Sequence, residues 1–300
     1  MTFGALFTQV LGFFDKRSQL TYFLPSLLFW GALIVIWYAG QGDVSGAARL
    51  WSGEGTVWIV RLIVFFAWLV LFSNVLASQS QTLFRIYEGY WEFPGAGPFR
   101  RRGVKWHQRK LAQYAAWARQ DPKHYEDIYF HYPLPGQPQY VLPTRLGNII
   151  KNSELYSYDR YQLDAVVVWP RLYNILPASF VQAIIELRSG VDFMLVISFL
   201  SAAFAFISGI YLLVVVASPY LFLFCFVGGL FVAWIAYRGA LGNAVLYGQQ
   251  IKAAFDLYRN ELLKQMRVPL PGNIAEERET WKTVNELLYR NIPPNWTYTK

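Results

Sequence analysis

Two apolar stretches decide the fold of this chain: residues 191–217 read VDFMLVISFLSAAFAFISGIYLLVVVA, and residues 220–237 read YLFLFCFVGGLFVAWIAY. About 20 apolar residues in a helix cross a hydrocarbon core of about 30 Å, so either stretch is long enough to span a membrane. Two earlier runs, residues 20–40 and 57–77, have the same character. The sequence therefore predicts an all-α polytopic membrane protein with four transmembrane helices and a mainly helical cytoplasmic domain.

The composition agrees with this interpretation. Of the 300 residues, 55% are hydrophobic and 15% are charged, whereas soluble proteins carry about 25% charged residues. The single cysteine, Cys225, excludes a disulfide-rich secreted module. A membrane-facing cytoplasmic surface explains the net charge of +8, so we expect no nucleic-acid partner.

The apolar runs divide the chain into five segments. They are an interfacial amphipathic helix (1–19), transmembrane helices 1 and 2 with a short external loop (20–77), a cytoplasmic domain (78–190), a transmembrane hairpin of helices 3 and 4 (191–237) and a cytoplasmic helical extension (238–300). Lys and Arg number fourteen in the cytoplasmic domain and nine in the extension, against one in residues 41–56. Because positive residues stay on the cytoplasmic side, we expect a multi-pass protein of the cell inner membrane with both termini in the cytoplasm.

Small residues recur at every fourth position in the last two spans. Helices in a bilayer associate by close packing at such residues. These stripes serve either for packing within the chain or as an oligomer interface, and the sequence leaves both open. Their members are Ser201, Ala205 and Gly209 in the third span and Cys225, Gly229 and Ala233 in the fourth.

Local patterns predict several further elements. We expect a helix over residues 104–120, a short strand over residues 166–169, and a helix that continues from the fourth span to about Arg267. Asn273 and Glu276 have the spacing of a capping box, which predicts the start of a last helix.

The strongest charged feature is a group of six cations with Trp106 among them. Such a group shortly after a span is typical of a site for anionic lipid headgroups, and it also serves as a topology signal. We call it the basic cluster; its members are Arg100, Arg101, Arg102, Lys105, Arg109 and Lys110.

The sequence contains no nucleophile elbow, phosphate loop, dinucleotide fingerprint or paired-cysteine motif. His107, His124 and His131 match no zinc-ligand spacing. The four apolar runs hold no charge near their centres that would mark an ion path. We therefore expect no catalytic residue, no cofactor and no metal.

One polar segment is compatible with an anion site. Thr144 can cap a helix that begins at Arg145, which leaves free N–H groups and a guanidinium facing one point. Asp164 and Arg171 lie further along the chain and can pair with each other, or with Arg145 and Glu154. The segment is therefore either a phosphate or carboxylate site, or a structural cap with a buried ion pair.

Two stretches in this region, LPTRLGN at 142–148 and LDAVVVWPRL at 163–172, occur together with YEGYW at 87–91. They resemble a family of bacterial multi-spanning inner-membrane proteins, and the likeness covers most of residues 80–200. No reaction is assigned to that family, so the resemblance implies lineage and membrane placement alone.

These observations favour a non-enzymatic, oligomeric inner-membrane component, a scaffold or a regulated pore. We expect it to form a homo-oligomer, to contact membrane lipids and to present its cytoplasmic domain to a protein partner. Two alternatives stay open: a membrane-permeabilising effector of bacterial antiviral defence, and a membrane-embedded enzyme that modifies a lipid or an isoprenoid. The enzyme requires clustered acids or a nucleophile–base pair beside a span.

Overall fold

The computed structural model describes residues 19–41, 46, 56–216 and 218–293. The predicted interfacial helix, apart from its last residue, and most of the predicted external loop lie outside these described residues. Helices dominate the described ranges, and no strand occurs in them. The predicted all-α polytopic fold is therefore confirmed.

Ten α-helices are bounded within the described residues, and we number them in chain order. They are α1 (Leu24–Gly40), α2 (Thr56–Ser78), α3 (Ser80–Glu88), α4 (Ala96–Gln120), α5 (Tyr125–His131), α6 (Arg145–Tyr161), α7 (Ala165–Tyr173), α8 (Ala178–Tyr211), α9 (Pro219–Gln265) and α10 (Ile274–Arg290). Short π-helical turns precede α1 (Gln19–Phe23) and follow α8 (Leu212–Val216), and 3-10 turns cover Pro122–His124 and Pro138–Tyr140.

Four of the helical segments are long and apolar enough to cross a membrane. They correspond to the four runs predicted from the sequence, which confirms four candidate spans. In α8 and α9 the helix extends beyond the apolar run itself. The segments are Thr21–Gly40, Val57–Ser78, Ala178–Val216 and Pro219–Gln265.

The chain folds into two compact units. Unit 1 comprises Met1–Phe84 and Ser189–Ala240, and unit 2 comprises Arg85–Arg188 and Leu241–Lys300. The predicted spans therefore belong to unit 1, and most of the predicted cytoplasmic residues belong to unit 2.

Unit 1 brings the two small-residue stripes together. A Cβ added at Gly229 on α9 would lie 2.9 Å from Ala205 Cβ and 3.0 Å from Ser201 O on α8. Ala205 is fully buried at this contact, which is the close approach of two helix backbones that small residues allow. At Gly229, Ala205 and Ser201 the stripes therefore pack against each other within the chain.

Unit 2 has its own apolar core, in which α7, α9 and α10 meet. Phe255 of α9 and Trp281 of α10 have no exposed surface, and the Trp169 ring of α7 lies 5.7 Å from the Phe255 ring. The predicted end of α9 near Arg267 is confirmed, since the helix stops at Gln265. The predicted start of the last helix at Asn273 is confirmed, because Asn273 Oδ1 accepts hydrogen bonds from Ala275 N and Glu276 N at 3.0 Å each. The Glu276 carboxylate accepts from Gly272 N and Asn273 Nδ2 in place of the reciprocal backbone bond of a capping box.

The strand predicted over residues 166–169 is wrong, because these residues lie in α7. The Asp164 carboxylate caps this helix by accepting hydrogen bonds from Val166 N at 2.9 Å and Val167 N at 3.4 Å. Val168 and Leu172, four residues apart, are both fully buried, so the helical period places both in the core. Capping and core packing outweigh the β propensity of three successive valines.

Helix α4 begins at Ala96, eight residues before the predicted start at Val104. Gly95 is the N-cap residue and has a left-handed backbone conformation, with φ of 86°, so the helix begins directly after it. Pro98 is tolerated because the first N–H groups of a helix have no intrahelical partner. The whole basic cluster therefore lies on one helix.

Candidate functional site

Most of the basic cluster lies on the exposed side of α4. Five of its six side chains are exposed, and Lys110 is half-buried with its Nζ 4.9 Å from the centre of the Trp106 ring. A groove of about 550 Å³ follows this side. It is lined by Pro98, Arg101, Arg102, Lys105, Trp106 and Arg109.

The opposite side of α4 holds the helix in place. His107 and Leu111 are buried there, and His107 Nδ1 lies 2.8 Å from the Tyr132 hydroxyl. Gln108 donates a hydrogen bond to Pro138 O at 2.9 Å. Burial, with Lys110 and Arg145 nearby, lowers the pKa of His107 to about 4, so this histidine is neutral at pH 7. The helix that carries the exposed cations is therefore held in place by packing and hydrogen bonds on its other side.

The exposed cations have no carboxylate partner among the described residues. Helix α4 itself contains no acidic residue between Ala96 and Gln120. Guanidinium groups in this state are available for bidentate hydrogen bonds to phosphate. The arrangement can bind anionic groups, which is the chemistry that the sequence predicts for this cluster.

The three histidines do not converge. The His124 ring lies against Trp117, and His131 Nδ1 lies 3.1 Å from Asp127 O in its own helix. Within the described residues, no three His, Cys, Asp or Glu side chains are grouped so as to hold a metal ion.

Thr144 acts as the cap that the sequence predicts. Its Oγ1 accepts a hydrogen bond from Gly147 N at 3.0 Å and donates one to Glu88 O at 2.8 Å. Asn148, which is fully buried, accepts from Leu142 N at 2.8 Å and donates to Leu142 O and Thr144 O. The α6 N-terminus is therefore bonded to the loop before it and to the end of α3, which favours the structural cap over the anion site.

The ion pair expected between Asp164 and Arg171 is not formed. The Asp164 carboxylate caps α7, and Arg171 Nη1 donates to Val167 O at 2.8 Å in the same helix. Glu154, a further candidate partner, pairs with Lys151 at 3.0 Å. Asp164, Arg171 and Glu154 thus each have a partner close by in the sequence. Thr144, Arg145, Asp164 and Arg171 do not make one site.

Sequence reasoning missed a buried polar network on α9. Lys252, only 3% exposed, donates a hydrogen bond to Tyr129 O at 2.8 Å and lies 4.0 Å from the centre of the Tyr129 ring. One turn on, the Asp256 carboxylate accepts hydrogen bonds from the Tyr156 hydroxyl at 2.8 Å and the Tyr161 hydroxyl at 2.6 Å. The network connects α9 to α5 and α6 within unit 2.

Arg259 completes this network. It forms an ion pair with the buried Glu277 of α10 at 2.6 Å, and its guanidinium lies 4.1 Å from the centre of the Tyr161 ring. Lys252 lies well past the fourth apolar run, and burial lowers its pKa to about 8. The sequence signal that could have revealed this network was the i, i+4 spacing of Lys252 and Asp256 on a helix face that also carries the apolar Ile251 and Phe255.

Glu88 is a second buried charge that the sequence did not single out. Its side chain is 6% exposed, at the end of α3 that Thr144 clamps. Burial, followed by the negative charge of Glu154, raises the pKa of Glu88 to about 7, against the opposing effect of Arg188, Arg85 and Lys151. This carboxyl therefore titrates near neutral pH, where an ordinary glutamate is ionised.

Replacing Glu88 by glutamine is expected to remove a pH dependence of stability. A carboxyl whose folded pKa exceeds its unfolded value of 4.5 stabilises the fold at low pH and loses that contribution as the pH rises toward about 7. Between pH 5 and pH 8 the wild type should lose about 2 kcal/mol from this group. Thermal unfolding of the full chain in detergent at both pH values checks the prediction, with the exposed Glu92→Gln as the matched control. Parallel pH profiles for wild type and Glu88→Gln would contradict it.

No protein-family model, no curated protein and no solved structure matches this chain. The fold by itself defines the class: this is an all-α polytopic membrane protein.

Proposed function

We propose that the protein is a non-enzymatic scaffold of the bacterial inner membrane that binds anionic lipid headgroups through α4. The observation that carries this proposal is the exposed basic cluster, which has no carboxylate partner among the described residues. Unit 1 supplies the membrane anchor, since the four candidate spans include its apolar runs.

The chemistry of the groove supports headgroup binding. Arginine forks match the oxygen geometry of a phosphate, and Trp106, which is 52% exposed, offers an amphipathic ring that suits the headgroup region. Each Lys or Arg near an anionic membrane surface contributes about 1 kcal/mol. The three arginines that line the groove, Arg101, Arg102 and Arg109, therefore supply enough free energy to hold a charged lipid in preference to a zwitterionic one.

The distribution of positive charge supports an orientation with both termini in the cytoplasm. Fourteen Lys and Arg lie in residues 78–190 and nine in residues 238–300, and one lies in residues 41–56. In this orientation the basic cluster lies on the cytoplasmic side of the membrane.

The proposed homo-oligomer needs a surface other than the small-residue stripes. Gly229 and Ala205 already contact each other within one chain. A second copy, or a cytoplasmic protein partner, would have to use exposed residues instead, and a pore would have to be lined by them.

The proposal is tested by binding of lipid to the full chain. In Arg101→Gln/Arg102→Gln/Arg109→Gln, we expect phosphatidylglycerol to bind at least tenfold more weakly, because the three arginines that line the groove are lost. Phosphatidylcholine binding should not change. Native mass spectrometry of the protein in detergent, titrated with each lipid at low and high salt, measures both.

The control is Lys264→Gln/Arg267→Gln/Lys282→Gln, which removes the same charge from exposed positions elsewhere in unit 2. It should keep the preference for phosphatidylglycerol. An equal loss in both triple variants would show a general effect of net charge, and no loss in either would reduce the basic cluster to a topology signal.

A further inference from the structure

Helix α4 carries a line of exposed aromatic side chains beside its cations. Phe99, Trp106 and Trp117 are 71%, 52% and 46% exposed. At about 100° per residue, positions seven and eighteen residues apart return to within about 20° of the same direction. The three residues therefore lie along one line parallel to the helix axis, with the Trp106 ring beside His107 and the Trp117 ring beside Tyr114 and His124.

The cations form a second line next to the first. Arg102 and Arg109 lie about 60 to 80° around the helix from the aromatic line, on the side away from the buried His107 and Leu111. Going around α4, the buried face is followed by the aromatic line and then by the basic line. The buried face packs against the protein, so the exposed aromatic line beside the cations is the part of α4 that has the character of a membrane-interface helix.

We propose that α4 lies flat in the interface of an anionic bilayer, with the aromatic line inserted among the headgroups and the basic line on their phosphates. This inference rests on the proposed function, because it takes anionic lipid as the ligand of the basic cluster. It adds that the whole length of α4 binds the bilayer surface, and that the aromatic side chains penetrate between the lipid headgroups.

Two features of α4 favour a bilayer surface as the occupant. The aromatic line is straight over eighteen residues, about 27 Å at 1.5 Å per residue, which fits an extended planar surface. The helix carries seven cations and no acid, so its charge complements a continuous anionic surface. Tryptophan at a membrane interface places its ring at the headgroup level, which accounts for two such rings remaining exposed.

The test places a fluorescent label on each side of α4. In full-length protein with Cys225→Ala, NBD is attached to Phe99→Cys or to Ala112→Cys; both positions are exposed, and Ala112 lies about 140° from the aromatic line. The protein is placed in nanodiscs of phosphatidylcholine with or without phosphatidylglycerol, containing doxyl-labelled lipid as the quencher.

We expect at least threefold stronger quenching at position 99 than at position 112 in anionic nanodiscs. Adding Trp106→Ser and Trp117→Ser should lower the quenching at position 99 at least twofold. Because all these side chains are exposed, the variants are expected to fold, and an unchanged melting temperature checks this.

The outcomes separate the two proposals. Strong quenching at position 99 that is the same in neutral and anionic nanodiscs supports insertion and contradicts the proposed preference for anionic lipid. A phosphatidylglycerol preference in the titration, with equally weak quenching at both positions, keeps the proposed function and overturns the insertion. In that case the aromatic line belongs to a protein partner.

Discussion

Gly229→Leu is expected to prevent the packing of α8 against α9 and to abolish folded protein in detergent. A Cβ at this position already lies 2.9 Å from Ala205 Cβ and 3.0 Å from Ser201 O, and leucine adds three more carbons beyond it. The obstacle includes backbone, which cannot rotate away as a flexible side chain can. Without close approach, two helices in lipid lose the van der Waals contact that holds them together.

The chain offers a control one residue away. A Cβ at Gly228, on the same helix, meets no atom within 4 Å, so Gly228→Leu adds the same side chain without the collision. Size-exclusion chromatography and thermal unfolding should show a folded protein for Gly228→Leu and aggregated or unfolded protein for Gly229→Leu. If Gly229→Leu instead dissociates an oligomer into folded monomers, the stripe is an intersubunit surface and the hairpin assignment is overturned.

Gly147→Ala is expected to destabilise unit 2 by about 3 kcal/mol, which is a large effect for one methyl group. The added Cβ would overlap the carbonyl oxygen of Glu88 and would lie 3.0 Å from Leu142 Cδ1. Thr144 holds that carbonyl in place by donating a hydrogen bond to it at 2.8 Å. Relieving the overlap therefore separates the end of α3 from the start of α6 and breaks the partly buried hydrogen bond between Thr144 and Glu88.

Gly242→Ala provides the comparison for this prediction. Gly242 is an exposed helical glycine of unit 2 whose Cβ would meet nothing within 4 Å. Alanine there should stabilise the helix by up to about 1 kcal/mol. In thermal unfolding in detergent, the melting temperature should therefore fall for Gly147→Ala and rise for Gly242→Ala. A Gly147→Ala protein as stable as the wild type would contradict the close contact between α6 and the Glu88 carbonyl.

Several local features of unit 2 were predictable because neighbouring residues specify them. Thr144 caps α6 through Gly147 N, and Asn273 caps α10 through Glu276 N, each within three positions. Such hydrogen bonds depend on residue type and spacing, which are visible in the sequence. The predicted strand at 166–169 failed because its valines suit either structure, and the cap at Asp164 with the buried Val168 decided the outcome.

The basic cluster was predictable as a composition, and its geometry was not. A run of six cations can be read directly from the sequence, whereas the earlier start of α4 places them all on one helix. The exposed line of Phe99, Trp106 and Trp117 appears only once the helix begins before Phe99 and its buried face is known. Periodicity has meaning only within a helix whose limits are fixed.

The sequence by itself determined that the chain is an all-α polytopic membrane protein, because the length of an apolar run relative to the bilayer is a property of consecutive residues. Only the tertiary structure decided which polar groups are buried and what they bind. Thr144 meets Glu88 across 56 positions, and Lys252 meets Tyr129 across 123. Contacts of this kind arise from the packing of distant helices, so the pKa values of Glu88 and Lys252 depend on neighbours that local sequence patterns do not identify.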